Sequence, residues 1–328
     1  MKIFKDCTED QITQAAQALI DGHLVAFPTE TVYGLGADAS NASAVSRVYE
    51  VKGRPKDHPL IVHISSVNHI TRWTSEIPDY VVELATRFWP GPMTLILPRS
   101  PLAKDFITGN QNNVGLRVPA NPIALKLLSR FEEFGGLGVV APSANRFGAV
   151  SPTSASDVDE EIGADLNFQD FILDGGQCSV GIESTIIDCS TSVPSILRSG
   201  AITHEEISKI TRLRILNENI NKIKSPGSMD SHYAPKAVVK LDVEAMTGDG
   251  FIAMAEIPTP EGAIRLSAPL TSEHYARELY AALRLGDQKK LMTIVVIQPK
   301  GNGIEVGIRE RLIKSANGSK KQHEKYQR

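Results

Sequence analysis

The stretch "FPTETVYGLGADA", Phe27–Ala39, decides how the first part of the chain is read. From Gly34 onward it fits the dinucleotide fingerprint G-x-G-x-x-G/A, with Gly34, Gly36 and Ala39 at the three small positions. That fingerprint needs its first glycine directly after a strand, so that a pyrophosphate meets a helix N-terminus. Here Pro28 ends the apolar run "HLVAF", and "PTETVY" intervenes. The segment therefore reads as a loop lining a pocket, with its glycines shaping the backbone, rather than as a dinucleotide clamp.

Upstream, Thr8 and Gln11 have capping-box spacing, and Ile12, Ala15, Ala16, Leu19 and Ile20 recur at helical period until Gly22. Downstream, "NASAVSRVYEVK", "PDYVVELATRFW" and "NPIALKLLSRF" read as helices between the strands "HLVAFP", "LIVHIS", "MTLILP", "VGLRVP" and "LGVVAPS". The pattern then shifts toward strands in "DFILD", "STIIDCS" and "SILRS". This is an α/β fold on a twisted, open sheet of mixed direction, expected to span residues 1–205. A second capping box at Thr203 and Glu206 precedes a polar stretch without sustained period, read as a linker over 206–237. From 238 to 328, "VVKLDV", "GFIAMAE", "GAIRLSA", "EHYARELYAALRLGD" and "LMTIVVIQP" predict a second, smaller Rossmann-like α/β domain. The polar, basic residues from Asn317 read as a frayed, solvated tail.

A chain of 328 residues, 41% hydrophobic, is large enough for two cores. Its net charge of -3 supplies no global attraction to nucleic acid, so an anion site must come from local clusters of basic residues. Cys7, Cys178 and Cys189 are odd in number and lack C-x-x-C spacing, which argues against a disulfide framework and a thiolate zinc site. With charge too early in "MKIFKDCTEDQ" for a signal peptide and no apolar run of membrane length, the expectation is a soluble protein of the reducing cytoplasm.

The loop "KGRPKDHPL" sets Lys52, Arg54, Lys56 and His58 on a short segment stiffened by Pro55 and Pro59. Guanidinium forks and ammonium point charges at that density suit a triphosphate, and a solvated basic loop is the plainer alternative. His63 alternates with Leu60, Val62 and Ile64, as a ligand-facing or a satisfied sheet-face histidine. Arg117 in "VGLRVP" and Arg198 in "SILRS" are embedded in apolar strands, where five donors need partners, so both are candidate anion anchors. Ser143 and Asn145 in "APSANRFG" can bind phosphate or cap a turn, and Ser184 and Thr185 form a ligand shelf or a strand entry. The chain contains no Walker loop, no Ser-His-Asp signature and no H-E-x-x-H spacing. Its chemistry is expected to be positioning and charge neutralisation, as in nucleotidyl transfer.

"FPTETVYGLG", "VKGRPKDHPL", "WPGPMTLIL", "VGLRVP", "APSANRFGAVSPT", "GIESTIID" and "ILRSG" resemble, in order and spacing, the YrdC-like domain. "SPGSMDSHYAP" and "GIEVGIRERLIKSA" resemble the linker and C-terminal domain of the long-form threonylcarbamoyl-AMP synthases. The resemblance implies that L-threonine, bicarbonate and ATP, bound with magnesium, give threonylcarbamoyl-AMP and pyrophosphate. The product would pass to a separate threonylcarbamoyl transferase acting on tRNA. It also implies a threonine site at Thr31, His63, Arg117, Ala141 and Ser184. The ATP site it implies comprises Arg54, His58, Asn113, Ser143, Ser151, Arg198 and Tyr233, with Lys52 and Asn145 in the same lining. Lys52 and Arg54 would act electrostatically in catalysis, and no protein ligand for a metal is identified. "HYAP" would close over the pocket as a lid. Three positions depart from the family pattern: Ser231 where a basic residue is common, His58 for a frequent Asn, and Asn113 for a Thr. Two alternatives accompany this expectation. One is a carbamoyladenylate-forming module of the hydrogenase-maturation type, expected to carry acylphosphatase-like and zinc-finger segments upstream. The other is a protein that contacts tRNA or double-stranded RNA through phosphates.

Overall fold

The computed structural model describes residues 1–216, 223–227 and 229–326. Residues 217–222 and Ser228 of the expected linker, and the last two of the expected tail, lie outside the described residues. The first ten strands are β1 (Lys2–Phe4), β2 (Val25–Phe27), β3 (Gly34–Asp38), β4 (Ile61–His63), β5 (Met93–Pro98), β6 (Asn113–Arg117), β7 (Val139–Val140), β8 (Phe171–Leu173), β9 (Thr185–Asp188) and β10 (Ser195–Arg198). They form one sheet in the order β1-β8-β2-β3-β7-β4-β6-β5-β9-β10. Its direction is mixed as expected: β4 and β6 are parallel, whereas β2 with β3, β4 with β7 and β5 with β6 are antiparallel.

The helices are α1 (Glu9–Ile20), α2 (Ala42–Lys52), α3 (Ile70–Trp73), α4 (Asp79–Phe88), α5 (Asp105–Thr108), α6 (Pro122–Glu133), α7 (Ala155–Ile162), α8 (His204–Thr211), α9 (Ser272–Gln288) and α10 (Ile304–Tyr326). Both capping boxes form: Thr8 Oγ1 accepts from the Gln11 amide while Gln11 Oε1 accepts from the Thr8 amide, and Thr203 and Glu206 do the same at α8. Strand parity then distributes the side chains. Val25 and Phe27 pack with α1 and α6 on one face, and Ala26, Leu35, Val62 and Leu116 pack with α2 and α4 on the other. Along β4, β6, β5 and β9 the first face carries Ile61, Ile96 and Ile186 instead, which meet Ile223 of the linker rather than a helix. The helices thus leave part of one sheet face to the linker, and the site lies there.

Two expectations are corrected. "GLGAD" is β3, not loop: Val25 pairs with Gly36 and Phe27 with Gly34. The glycines serve close packing, since a Cβ on Gly36 would stand 2.8 Å from the Phe27 ring and 3.0 Å from Val139, and one on Gly34 would be 3.0 Å from the Ala141 Cβ. The pocket-lining loop is confined to residues 28–33, where Thr29 Oγ1 donates to the Val32 carbonyl at 2.6 Å and accepts from the Thr31 and Val32 amides. The second correction concerns the tail: residues from Asn317 continue α10, and Ser319 Oγ, fully buried, accepts from the Val239 amide at 3.0 Å. β1, a three-residue strand, was not expected.

The last four strands, β11 (Val238–Leu241), β12 (Gly250–Ile252), β13 (Ile264–Ser267) and β14 (Thr293–Val296), form a second sheet. It is wholly parallel, in the order β11-β14-β12-β13. Tyr275, Leu279, Leu283, Ile308 and Leu312 of α9 and α10 cover one face, and the same apolar cluster takes in Val150, Ile182 and Tyr233. This second core is therefore continuous with the wall of the site. No helix among the described residues is long and apolar enough to cross a membrane.

Candidate active site

The sheet register sets the polar floor. His63 of β4 pairs with Arg117 of β6, so both side chains project from the face that the helices leave open. Arg198 comes from the edge strand β10, and Ser184 directly precedes β9. Thr31 and Val32 enter from the loop after β2, Ala141 to Ser143 from the turn after β7, and Arg54 from the basic loop after α2. Pro226, Gly227, His232 and Tyr233 of the linker close the top. The cavity beneath them has a volume of about 60 Å³. The linker thus already covers the site.

Three guanidiniums face this small space, each differently held. Arg117 Nη2 donates to Glu30 Oε1 at 2.6 Å, and Glu30 Oε2 accepts from the Ala120 amide. Arg198 donates from Nε to the Ser184 carbonyl at 3.0 Å, from Nη2 to Ser184 Oγ at 3.0 Å and from Nη1 to the Pro226 carbonyl at 3.1 Å. Arg54 Nη2 donates to the Pro59 carbonyl at 2.9 Å, and its guanidinium lies 5.6 Å from the centre of the Phe147 ring. Among the described residues neither Arg54 nor Arg198 forms an ion pair with a carboxylate. Burial pushes the Arg54 pKa down to about 10 and lowers that of Arg198, and Arg198 adds repulsion at Arg54 as Arg311 does at Arg198. Two under-neutralised cations in a closed space are what a polyanion would relieve.

Buried polar atoms without partners point the same way. Among the described residues Arg54 Nε, Arg117 Nε, His63 Nδ1 and His232 Nδ1 have no hydrogen-bond partner, and all four residues line the cavity. Burial, and then the Arg117 charge, push the His63 pKa down to about 3. Burial likewise takes His232 to about 3, so both imidazoles are neutral at physiological pH.

Of the residues singled out from sequence, Thr31, His63, Arg117, Ala141, Ser184, Arg54, Ser143, Arg198 and Tyr233 line this cavity. Lys52, His58, Asn113, Asn145 and Ser151 do not. Lys52 Nζ is buried and donates to the Ser143 and Asn145 carbonyls, holding the turn that presents Ser143, and burial drives its pKa well below the ordinary value. Asn145 Nδ2 donates to the Arg146 and Ala149 carbonyls. His58 meets the Phe147 ring edge-on at 5.3 Å, and half-buried Asn113 opens β6. Ser151 Oγ donates to Glu183 Oε1 at 2.6 Å. Sequence reasoning missed Glu30, Glu183 and His232. The need of Arg117 for partners was the available signal for Glu30, but nothing local named the acid, 87 positions away in the chain.

Comparison with known proteins settles the family. The Sua5/YciO/YrdC family model, described as "Telomere recombination", matches residues 17–200, and a model described as "Threonylcarbamoyl-AMP synthase, C-terminal domain" matches residues 202–317. The threonylcarbamoyl-AMP synthase of Bacillus subtilis is 37% identical, covering 96% of this chain and 97% of its own. The chain belongs to the threonylcarbamoyl-AMP synthase family. A second member, from Pyrococcus abyssi, is 45% identical over 70% of this chain and 67% of its own length. A crystal structure of P. abyssi Sua5 complexed with L-threonine superposes with a TM-score of 0.86 at 35% identity, covering 97% of this chain and 98% of that one. In this family member, then, strand parity and the linker build a cation-rich cavity, and the apolar core of the second domain reaches its Tyr233 wall.

Proposed function

We propose that this protein condenses L-threonine, bicarbonate and ATP into threonylcarbamoyl-AMP and pyrophosphate, and that the cavity under the linker is where it does so. The observation that carries this is that one cavity gathers three guanidiniums of which only Arg117 is paired with a carboxylate, Arg54 and Arg198 having none among the described residues. Arg117, His63 and Thr31 suit an amino acid. The free Nε of Arg117 would pair with the threonine carboxylate while Glu30 keeps its hold on Nη2, and the neutral His63 and the Thr31 hydroxyl would meet polar groups without adding charge. Arg54, Arg198 and Ser143 suit a triphosphate.

The threonine nitrogen would attack the carbon of bicarbonate with loss of water, giving a carbamate. One carbamate oxygen would then attack the α-phosphorus, and pyrophosphate would leave. Charge builds on the departing oxygens, and the two arginines without carboxylate partners would offset it. Magnesium would arrive with ATP; both carboxylates lining or flanking the cavity, Glu183 and Glu30, are engaged by arginine, which fits a metal held mainly by the phosphates. Nucleotide entry requires the linker to lift, because the covered cavity is far smaller than ATP. Its return would exclude water from a hydrolysable mixed anhydride. The product's activated carbamoyl carbon calls for an acceptor amine, which we assign to tRNA adenosine with a separate transferase.

The test is pyrophosphate release from ATP with L-threonine and bicarbonate omitted in turn. Release that needs both, and that an Arg117→Ala variant lacks, supports the proposal. Release indifferent to threonine overturns it.

A further inference from the structure

Arg311 and Tyr280 belong to α10 and α9 of the second domain, and neither lines the cavity. Both are nevertheless among the most deeply buried large side chains in the chain. Arg311 Nε donates to Glu183 Oε2 at 3.1 Å, its Nη2 donates to the Glu183 carbonyl at 3.3 Å, and its Nη1 donates to the Ser199 carbonyl. Its guanidinium also lies 5.8 Å from the centre of the Tyr233 ring. Tyr280 OH donates to the same Glu183 Oε2 at 2.8 Å, and its ring stacks on Tyr233 with centroids 5.7 Å apart.

These contacts fall on particular chain positions. Glu183 immediately precedes Ser184, and Ser199 immediately follows Arg198, and it is Ser184 that takes two of the Arg198 hydrogen bonds. One guanidinium therefore ties together the two backbone segments whose spacing aims Arg198 into the cavity. The same group supports the linker tyrosine that closes the cavity. A planar fork can serve the Glu183 carboxylate, the Glu183 carbonyl and the Ser199 carbonyl at once, and a lysine ammonium cannot span all three.

We infer that Arg311, with Tyr280, is a positioning clamp supplied by the C-terminal domain, which sets the Ser184–Arg198 geometry for the nucleotide and seats Tyr233 over the site. The second domain is on this account part of the reaction machinery, acting through Glu183 and Ser199 without touching substrate. The inference rests on the proposed synthase reaction for its identification of ATP as the ligand that feels the clamp.

The experiment uses the full-length protein and the variants Arg311→Lys, Arg311→Met, Tyr280→Phe and Arg198→Lys, with activity expressed per folded molecule. Arg311→Lys keeps the charge beside Glu183 and loses the fork. It should raise the KM for ATP about tenfold or more while kcat changes much less, and the KM for threonine, whose expected site includes Ser184, should rise by a clearly smaller factor. Tyr280→Phe should shift the KM for ATP in the same direction by a smaller factor. Combined with Arg198→Lys, Arg311→Lys should add little, because it acts through Arg198. Calorimetric titration of ATP alone reads the same clamp without turnover. Variants that lose thermal stability yet keep the wild-type ATP constants once normalised, or effects of Arg311→Lys and Arg198→Lys that multiply independently, would overturn the clamp. A wild-type protein that binds ATP but releases no threonine-dependent pyrophosphate would instead overturn the synthase reaction, leaving the ATP titration to judge the clamp.

Discussion

Two neutral, buried histidines make this protein's stability depend on acid in a way that can be worked out. His63 is 2% exposed and His232 7%. His63 faces Arg117, and His232 faces Glu183, Arg54, Lys52 and Lys314. Each is held at about 3 against an ordinary 6.5, with burial as the largest cause. Above 6.5 both are neutral in the folded and unfolded chain and contribute no pH dependence. Below it the unfolded chain takes up protons that the folded one refuses, so stability falls continuously toward pH 3. At about pH 5 the separation is ~1.5 pH units at ~1.36 kcal/mol per unit, or about 2 kcal/mol per histidine and about 4 kcal/mol for both. That is a large part of the ~5–15 kcal/mol that holds a typical domain. The assay is urea unfolding of the ligand-free protein at about pH 7.5 and about pH 5, followed by fluorescence of the buried Trp73 and Trp89. Wild type should lose about 4 kcal/mol between the two conditions, His63→Asn about 2 kcal/mol, and the His63→Asn/His232→Asn protein little. If the double variant loses as much as wild type, the acid sensitivity arises elsewhere and the account of these imidazoles is wrong.

Arg54→Ala should weaken ATP binding by about 10- to 100-fold, the value of charge-assisted hydrogen bonds at ~1.5–3 kcal/mol, with threonine affinity nearly unchanged; parallel titrations of the two ligands check this. Glu30→Gln removes the carboxylate of a buried ion pair and should cost about 3–5 kcal/mol of stability, read by denaturant unfolding, along with a raised KM for threonine as Arg117 loses its brace. Gly36→Ala presses a methyl against Phe27, the Val25 carbonyl and Val139, and should cost about 1–3 kcal/mol through overpacking; an unchanged urea midpoint would contradict the packing account of that glycine. Tyr233→Ala opens the linker's cover, and threonylcarbamoyl-AMP should then hydrolyse to AMP instead of accumulating, which chromatography of the reaction mixture, with AMP compared against pyrophosphate release, would register.

The alternation of apolar and polar residues was enough to reveal the α/β class, the mixed sheet and two helix caps, because strand parity and capping are local. It also put His63 and Arg117 on faces opposite their apolar neighbours, and their pairing across β4 and β6 brings both to one face. The glycines of "GLGAD" misled because a strand pressed against Phe27 and Val139 and a flexible loop both favour residues without side chains. The helical continuation past Asn317 was hidden because its buried face is made of Gly318 and Ser319, small residues that carry no hydrophobic signal and fit only against Ala234 and Val239.

By itself the sequence determined which residue types would be available to an anion, since a guanidinium inside an apolar strand must find partners wherever the chain folds. Which partners each one found was decided by tertiary structure. Glu30 reaches Arg117 across 87 residues, and Arg311 reaches Glu183 across 128, through chain crossings that no local pattern encodes. Lys52 shows the same division. Its charge was legible in "KGRPK", but burial beneath the Ser143–Asn145 turn gave its ammonium two carbonyls and took it out of the cavity. Local chemistry set the inventory of cations, and long-range packing chose which of them remain under-neutralised and line the cavity.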